Sequence, residues 1–474
     1  MIFNSVTFLL FFVAFFFIYW GINNRANVTV RNVFTILASY LFYGWWDWRF
    51  LSLIVISSAV DYSVGVAIKT QSKQILRKIL LSVSVVVNLG ILATFKYFNF
   101  FIDSLSEAFQ FFSINLNTST LNIILPVGIS FYTFQTLSYT VDVYKNKLEP
   151  TTNIISFFAF VSFFPQLVAG PIERASSLLP QFEVKKKFDA IHCISGLRLT
   201  LWGFFKKLVI ADNFGVLADG IFESADAASG ASILLGCLFF GLQIYADFSG
   251  YSDIAIGISK SLGYNLMANF KTPYFAQSLN EFWQRWHISL STWFRDYVYI
   301  PLGGNRKSSG RVQLNLLITF LLSGLWHGAS MTFVIWGALH GVALVIEKQI
   351  NFKLNKWIAG PIVVVLVFLF WLPFRAESTS QLLSMVHSIT DFTTYSFTLA
   401  KNVITEFSAL RFTALSVITL LFFVLESKLQ LLNFHHWIER KNRTFRFSVY
   451  YLLLFAILFL GNFTVKPSFI YFQF

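Results

Sequence analysis

The chain has 474 residues, 56% hydrophobic and only 12% charged. Soluble domains carry about 25% charged residues, so a water-soluble globule is excluded. The net charge of +13 is read as lysines and arginines that hold loops on the cytoplasmic side of a membrane, not as nucleic-acid binding.

About twelve apolar blocks follow one another, near 4–20, 33–46, 50–68, 79–100, 121–143, 151–169, 190–211, 231–258, 312–347, 357–374, 409–427 and 447–463. Blocks of about 18 or more apolar residues read as transmembrane helices. The predicted fold is all-α: a polytopic membrane protein of about 11–13 spans with additional re-entrant or interfacial helices, forming a single domain over 1–474. The first block, Ser5 to Trp20, has no basic residue before Arg25 and no small-residue cleavage site, and is expected to be a retained helix. The two cysteines, Cys193 and Cys237, give neither a disulfide framework nor metal spacing, so no metal is expected.

Loop charge sets the orientation. Lys69, Lys73, Arg77 and Lys78 should be cytoplasmic, whereas 101–120 holds Asp103 and Glu107 and nothing basic. Counting back puts the N-terminus outside. Arg440, Lys441, Arg443 and Arg446 inside leave the C-terminus outside as well. Block 151–169 conflicts with this scheme, because Lys145 and Lys147 precede it and Arg174 and Lys185 to Lys187 follow it. A re-entrant segment broken at Pro165, Gly170 and Pro171 resolves the conflict. Such backbone survives at membrane depth only beside protein or a water-filled cavity.

Lys206 and Lys207 interrupt block 190–211. With Arg174 they are expected on a cytoplasmic basic rim. Positive-inside anchoring accounts for them, and an anionic cofactor such as coenzyme A would also dock there. Asp247 and Asp253 interrupt the block 231–258, with Tyr245, Ser249 and Tyr251 beside them. Acids inside a span pair with a buried base or line a pathway. The stretch 281–299 mixes Arg285, His287, Arg295 and Asp296 with Trp283, Trp286 and Trp293. It is too polar to span, and reads as an interfacial anchor or as the polar wall of a substrate path.

The stretch 311–349 reads as a hairpin between Arg306, Lys307 and Arg311 at one end and Glu347 and Lys348 at the other. His327, next to Trp326 in a Trp-His-Gly turn, lies about 24 Å along the first arm. In a hydrocarbon core about 30 Å thick, that is deep. A neutral imidazole there suits a general base, and the bland alternative is a packed histidine bonded to a neighbouring helix. His340 follows thirteen residues on and reads first as a helix-packing residue. His435 and His436 read as interfacial. The chain has no G-x-S-x-G elbow and no P-loop.

Several long motifs in order carry a resemblance: PQLVAGPIER (165–174), GFFKKLVIAD (203–212), YADFSGYSD (245–253), FWQRWHISLSTWFRDYVYIPLGGN (282–305), GLWHGASMTFVIWGALHG (324–341) and the end from Phe469 to Phe474. The chain resembles the membrane-bound O-acyltransferase family, in its alginate O-acetyltransferase-like branch, most densely over about 125–350. The resemblance implies tilted helices around a central tunnel, with His327 as the catalytic residue and His287 in the polar position of the preceding motif. Trp326, His340, Tyr245, Asp247, Asp253 and Arg285 are then expected along the tunnel, and Lys206, Lys207 and Arg174 near the donor. It also implies acetyl-CoA as a donor substrate, with no tightly bound cofactor. The acceptor would be an extracytoplasmic, cell-surface polysaccharide, reached through a partner of serine-hydrolase-like fold, at a bacterial-type inner membrane. A transporter or flippase using Asp247, Asp253 and His327 is the competing class, although no internal repeat is visible.

Overall fold

In lipid a backbone must satisfy its own hydrogen bonds, and helices do so within one segment. The apolar runs start at polar caps that take up the first free N–H groups. Ser5 Oγ accepts from Phe8 N–H at 3.1 Å, Asn27 from Val30 N–H at 2.9 Å and Asn442 from Phe445 N–H at 2.9 Å. The computed structural model describes residues 1–116, 120–121, 123–168, 170–350, 355–429, 433–463 and 470, and no strand occurs among them. Of the terminal motif 469–474, all but Ile470 lies outside the described residues.

Eight helical stretches among the described residues are long and apolar enough to cross a membrane. Blocks 33–46 and 50–68 run together as one stretch, Val28–Thr70. The segments near 121–143, 151–169 and 190–211, and the first arm of the hairpin, form helices too short or too polar to be counted by that measure. Segment 151–169 is broken as expected, but at Phe163, two residues before Pro165.

The chain divides into two compact units, Met1–Cys193 with Ile258–Met267, and Ile194–Gly257 with Ala268–Phe474. The first contains α1 (Val6–Arg25), α2 (Val28–Asp47), α3 (Leu51–Thr70), α4 (Gln74–Leu92), α5 (Phe98–Phe111), α6 (Ile129–Tyr144), α7 (Ile154–Ser162), α8 (Phe164–Leu167) and α9 (Ala175–Glu183). Its outward faces are apolar: Val6 is 75% and Phe17 70% exposed, as a lipid-facing surface requires. Its interior holds polar groups with partners. Asp61, buried on α3, accepts hydrogen bonds from Ser84 on α4, from Asn88 at 2.8 Å and from Thr140 on α6 at 2.8 Å. Arg31 on α2 closes the end of α9, donating to the carbonyls of Phe182 at 2.9 Å and Val184 at 2.8 Å. A cation there meets the free carbonyls of a helix C-terminus.

Glu173, just before α9, is 1% exposed and accepts from the Met267 N–H at 2.5 Å. Burial pushes its pKa up to about 7. Because the folded-state pKa lies above the unfolded one, ionisation costs stability as pH rises through and beyond the ordinary glutamate value. Glu173→Gln keeps an acceptor for the Met267 N–H and removes that cost. The variant should melt like the parent at about pH 4 and higher at about pH 8, by on the order of 1–3 kcal/mol. A lower melting temperature than the parent at the higher pH would contradict this.

The second unit receives α10 (Ala190–Phe204), which passes through a π-helical turn at Phe205–Ala211 into α11 (Asp212–Phe222). Then come α12 (Gly230–Ser261), α13 (Leu279–Arg285), α14 (Ile288–Phe294), α15 (Ser309–His327), α16 (Met331–Gln349), α17 (Lys356–Arg375), α18 (Thr379–Thr390), α19 (Thr398–Phe407), α20 (Ala409–Leu429), α21 (Phe434–Glu439) and α22 (Arg443–Leu460). A continuous apolar core runs through it from Leu199 to Ile470, rich in Phe and Trp.

Candidate active site

The hairpin expected at 311–349 is formed by α15 and α16, joined through Gly328 to Ser330, with Ser330 Oγ capping α16 at the Thr332 N–H. Its two arms touch backbone to backbone. A Cβ on Gly324 would lie 2.2 Å from the Phe333 carbonyl oxygen, and one on Gly337 would lie 2.3 Å from that of Phe320. Only glycine allows this approach, and it sets where the end of α15 points.

That end carries His327, 3% exposed. Asn315, Thr319, Ser323 and His327 recur every fourth residue and are all buried. Residues four apart lie on one slowly winding helix face, so a polar stripe about 18 Å long leads along α15 to the imidazole. The sequence reading missed this stripe, although the spacing was visible.

His287 sits at the corner between α13 and α14 with φ +42°. The left-handed region is uncommon for a residue with a side chain and persists only where neighbours impose it. Here the Asn269 carbonyl accepts from Ile288 N–H at 2.9 Å, and the Asn269 side chain accepts from Ser289 N–H at 3.1 Å and its hydroxyl at 2.9 Å. The expected single polar stretch 281–299 is thus two short helices around a fixed turn. His287 lies outside the candidate spans, and burial lowers its pKa far below the usual histidine value, to about 3, leaving a neutral ring.

The two imidazoles share one place. Their ring centroids are 6.2 Å apart, and Trp326 lies 5.0 Å from His327 and 5.9 Å from His287. Phe248 of α12 packs edge-on to His287 at 4.5 Å, and Phe374 of α17 lies 5.6 Å from His327. Trp336 stands 4.9 Å from both His327 and His340. His340 is fully buried, with Trp283 and Phe370 each 4.9 Å away. Neither of its ring nitrogens hydrogen-bonds within the described residues.

The remaining candidates form a second cluster. Lys206 Nζ pairs with Asp253 at 2.5 Å and donates to Ser249 Oγ at 3.0 Å. Lys207 Nζ bridges Asp212 at 2.6 Å and Asp247 at 3.0 Å. Asp247 also accepts from Ile470 N–H at 2.9 Å, and the Tyr245 hydroxyl donates to Glu426 of α20. Lys206 and Lys207, expected with Arg174 on a cytoplasmic basic rim, are buried. Both are 3% exposed, because the π-helical turn of α10 places them where the carboxylates of α11 and α12 match their charge. The pairing expected for Asp247 and Asp253 is therefore with these two lysines. Arg285 is bound to Glu281 at 2.5 Å. Arg174 belongs to the first unit, where it is partly exposed beside Glu173.

Two outcomes follow from this packing. Gly324→Ala should lower stability by about 1–3 kcal/mol, since the added carbon has no room without shifting the backbone; a melting temperature equal to the parent's would contradict the close contact. Lys207→Met leaves two buried carboxylates facing each other and should cost about 3–5 kcal/mol, read as loss of the monodisperse peak in fluorescence-detected size exclusion on heating. Unchanged thermal behaviour would contradict the ion-pair cluster.

The model of the MBOAT, membrane-bound O-acyltransferase family matches residues 6–372, which include all three of these histidines. The chain is similar to the "Probable alginate O-acetylase AlgI" of Pseudomonas aeruginosa, 41% identical over 404 residues, covering 83% of this chain and 76% of the relative. It is similar to the peptidoglycan O-acetyltransferase of Helicobacter pylori, 35% identical over 393 residues, covering 76% and 74%. A teichoic acid D-alanyltransferase of Streptococcus thermophilus is 30% identical over 250 residues, covering 50% and 59%.

Proposed function

The chain belongs to the membrane-bound O-acyltransferase family and is a multi-pass membrane O-acyltransferase, and from that premise we propose that it carries an acetyl group across the bilayer with His327 as general base. The donor is acetyl-CoA on the cytoplasmic side. The acceptor is a hydroxyl of an extracytoplasmic polysaccharide, or of a relay protein of serine-hydrolase-like fold that passes the group on. The membrane is the cytoplasmic membrane of a bacterial-type cell, with both termini outside.

The observation that carries this reading is the pair of imidazoles 6.2 Å apart inside the matched segment. His327 takes the proton of the attacking hydroxyl. The oxygen then bonds to the thioester carbonyl carbon, the carbon–sulfur bond breaks, and the imidazolium returns the proton to the leaving thiolate. The neutral His287 offers an N–H to the carbonyl oxygen as negative charge develops there, which in a dry site is worth several kcal/mol. The stripe of Asn315, Thr319 and Ser323 starts near Arg311, at the basic end of the hairpin, and supports entry of the donor from that side.

Trp326 and Trp336 close around His327, so they shift to admit the thioester and then exclude water from it. His340, behind Trp336, holds that indole. The buried pairs Lys206–Asp253 and Lys207–Asp247 fasten the end of α10 to α12. A transporter would not need a paired-histidine centre, and the family assignment favours the enzyme.

His327→Ala should reduce acetyl transfer from labelled acetyl-CoA in proteoliposomes by about 10²–10⁴-fold, the usual worth of a general base. Undiminished transfer by a folded variant would sink the assignment.

A further inference from the structure

Away from the histidines, the second unit holds a pocket of about 510 Å³, within the ~300–1,000 Å³ of small-molecule sites. Its walls are the turn at Ala225–Ala227, the first turn of α12, one face of α18, and the segment that runs into α19. These walls are fastened to one another. A Cβ on Gly230 would lie 2.3 Å from the Ser388 carbonyl oxygen and 2.8 Å from the Tyr395 ring, so α12 meets α18 only through glycine. Ser229 and Ser232 both donate to the Ser396 carbonyl, the latter at 3.1 Å. The Ser396 N–H returns to Ser229 Oγ at 3.2 Å, and the Tyr395 hydroxyl donates to the Ile389 carbonyl at 2.7 Å.

The lining is hydroxylic. Ser384 and Ser388 contribute hydroxyls beside Ser229, Ser232 and Ser396, whose own hydroxyls are engaged within the walls; Asp226 and Asp391 contribute carboxylates and His387 an imidazole, and among the described residues no lysine or arginine lines the pocket. Phe392 and Phe397, 77% and 65% exposed, alternate with lining residues along the same segment. The nearby cation Arg375 is committed to Asp219 at 3.0 Å.

The pocket's side of the membrane follows from charge. The stretch 212–230 has Asp212, Asp219, Glu223 and Asp226 and no basic residue, and 376–408 has only Lys401. The next connection, 428–446, has Lys428, Arg440, Lys441, Arg443 and Arg446. The positive-inside rule therefore sets the pocket outside.

We propose that this pocket binds an uncharged glycan chain, the acceptor polysaccharide, and discriminates against polyuronates. A neutral sugar ring presents adjacent hydroxyls that donate and accept, the counterpart of serine hydroxyls and acceptor-only carboxylates. Its apolar faces suit exposed aromatic rings such as Phe392 and Phe397. A uronate adds one carboxylate per ring, set against Asp226 and Asp391 with no lysine or arginine in the lining to offset it. As a statement about the acceptor, this rests on the acyl-transfer reading; as a statement about binding, it is measured separately.

The test uses the full chain in nanodiscs, titrated with cellohexaose, chitohexaose and hexamannuronate. At least one neutral hexamer should bind saturably, and hexamannuronate at least about tenfold more weakly. Ser384→Trp and Ala227→Trp fill the pocket from opposite walls, and the second replaces an exposed residue that tolerates the change. Each should weaken the neutral hexamer by about tenfold or more, while His327→Ala leaves binding as it was. Three results would overturn the proposal: neither neutral hexamer binds, hexamannuronate binds equally well, or binding survives both tryptophans. A variant pocket that loses a partner protein instead of a glycan also counts against it. If binding fails while acetyl transfer persists, the pocket is wrong and the enzyme reading stands. If binding holds while His327→Ala transfers normally, the reverse is true.

Discussion

An ionisable side chain inside an apolar bundle is stable only where protein supplies what water would have supplied. The second unit is arranged around that cost. Lysines and carboxylates from α10, α11 and α12 neutralise one another at 2.5–3.0 Å. The imidazoles of His287, His327 and His340 stand among aromatic rings. A neutral imidazole, unlike a lysine or a carboxylate, needs no counter-ion. The same physics thus separates a cluster of matched charges from a cluster of histidines among aromatic rings.

Geometry at two backbone points converts this arrangement into a site. The glycine contact between α15 and α16 fixes the end of α15, and the left-handed turn at His287, held by Asn269, fixes the other ring. Each determines where an imidazole stands, which is why short polar helices and tight turns occur here and not on the lipid-facing surface. The pocket between α12 and α18 belongs to the same logic in reverse: apart from Ser232, its hydroxyls and acids lie outside the candidate spans, where polar groups are inexpensive.

Much of this was legible in the sequence. Long apolar blocks gave the class of fold, and the Trp-His-Gly turn and the Trp-rich stretch gave the two histidines that the structure brings together. By length and composition alone eight stretches qualify among the described residues, because α6, α7, α10 and α15 are short or striped with polar residues. The burial of Lys206 and Lys207 was not legible, because adjacency in sequence says nothing about the π-helical turn that swings both inward. Asp61 follows the same rule as Asp247, an acid inside an apolar block, but its partners Ser84, Asn88 and Thr140 come from two other helices. The stripe through Asn315, Thr319 and Ser323 was present as a four-residue repeat and needed only to be counted. The second pocket was not legible, since its walls come from segments more than 150 residues apart in the chain.

The central claim is that His327 meets the acyl group. A structure with a non-hydrolysable acetyl-CoA analogue tests it most directly. The account predicts the analogue's carbonyl within reach of the His327 ring, about 2.6–3.2 Å from a nitrogen or one water away, with the carbonyl oxygen turned toward His287. An analogue bound in order with its acetyl group remote from both rings would contradict it.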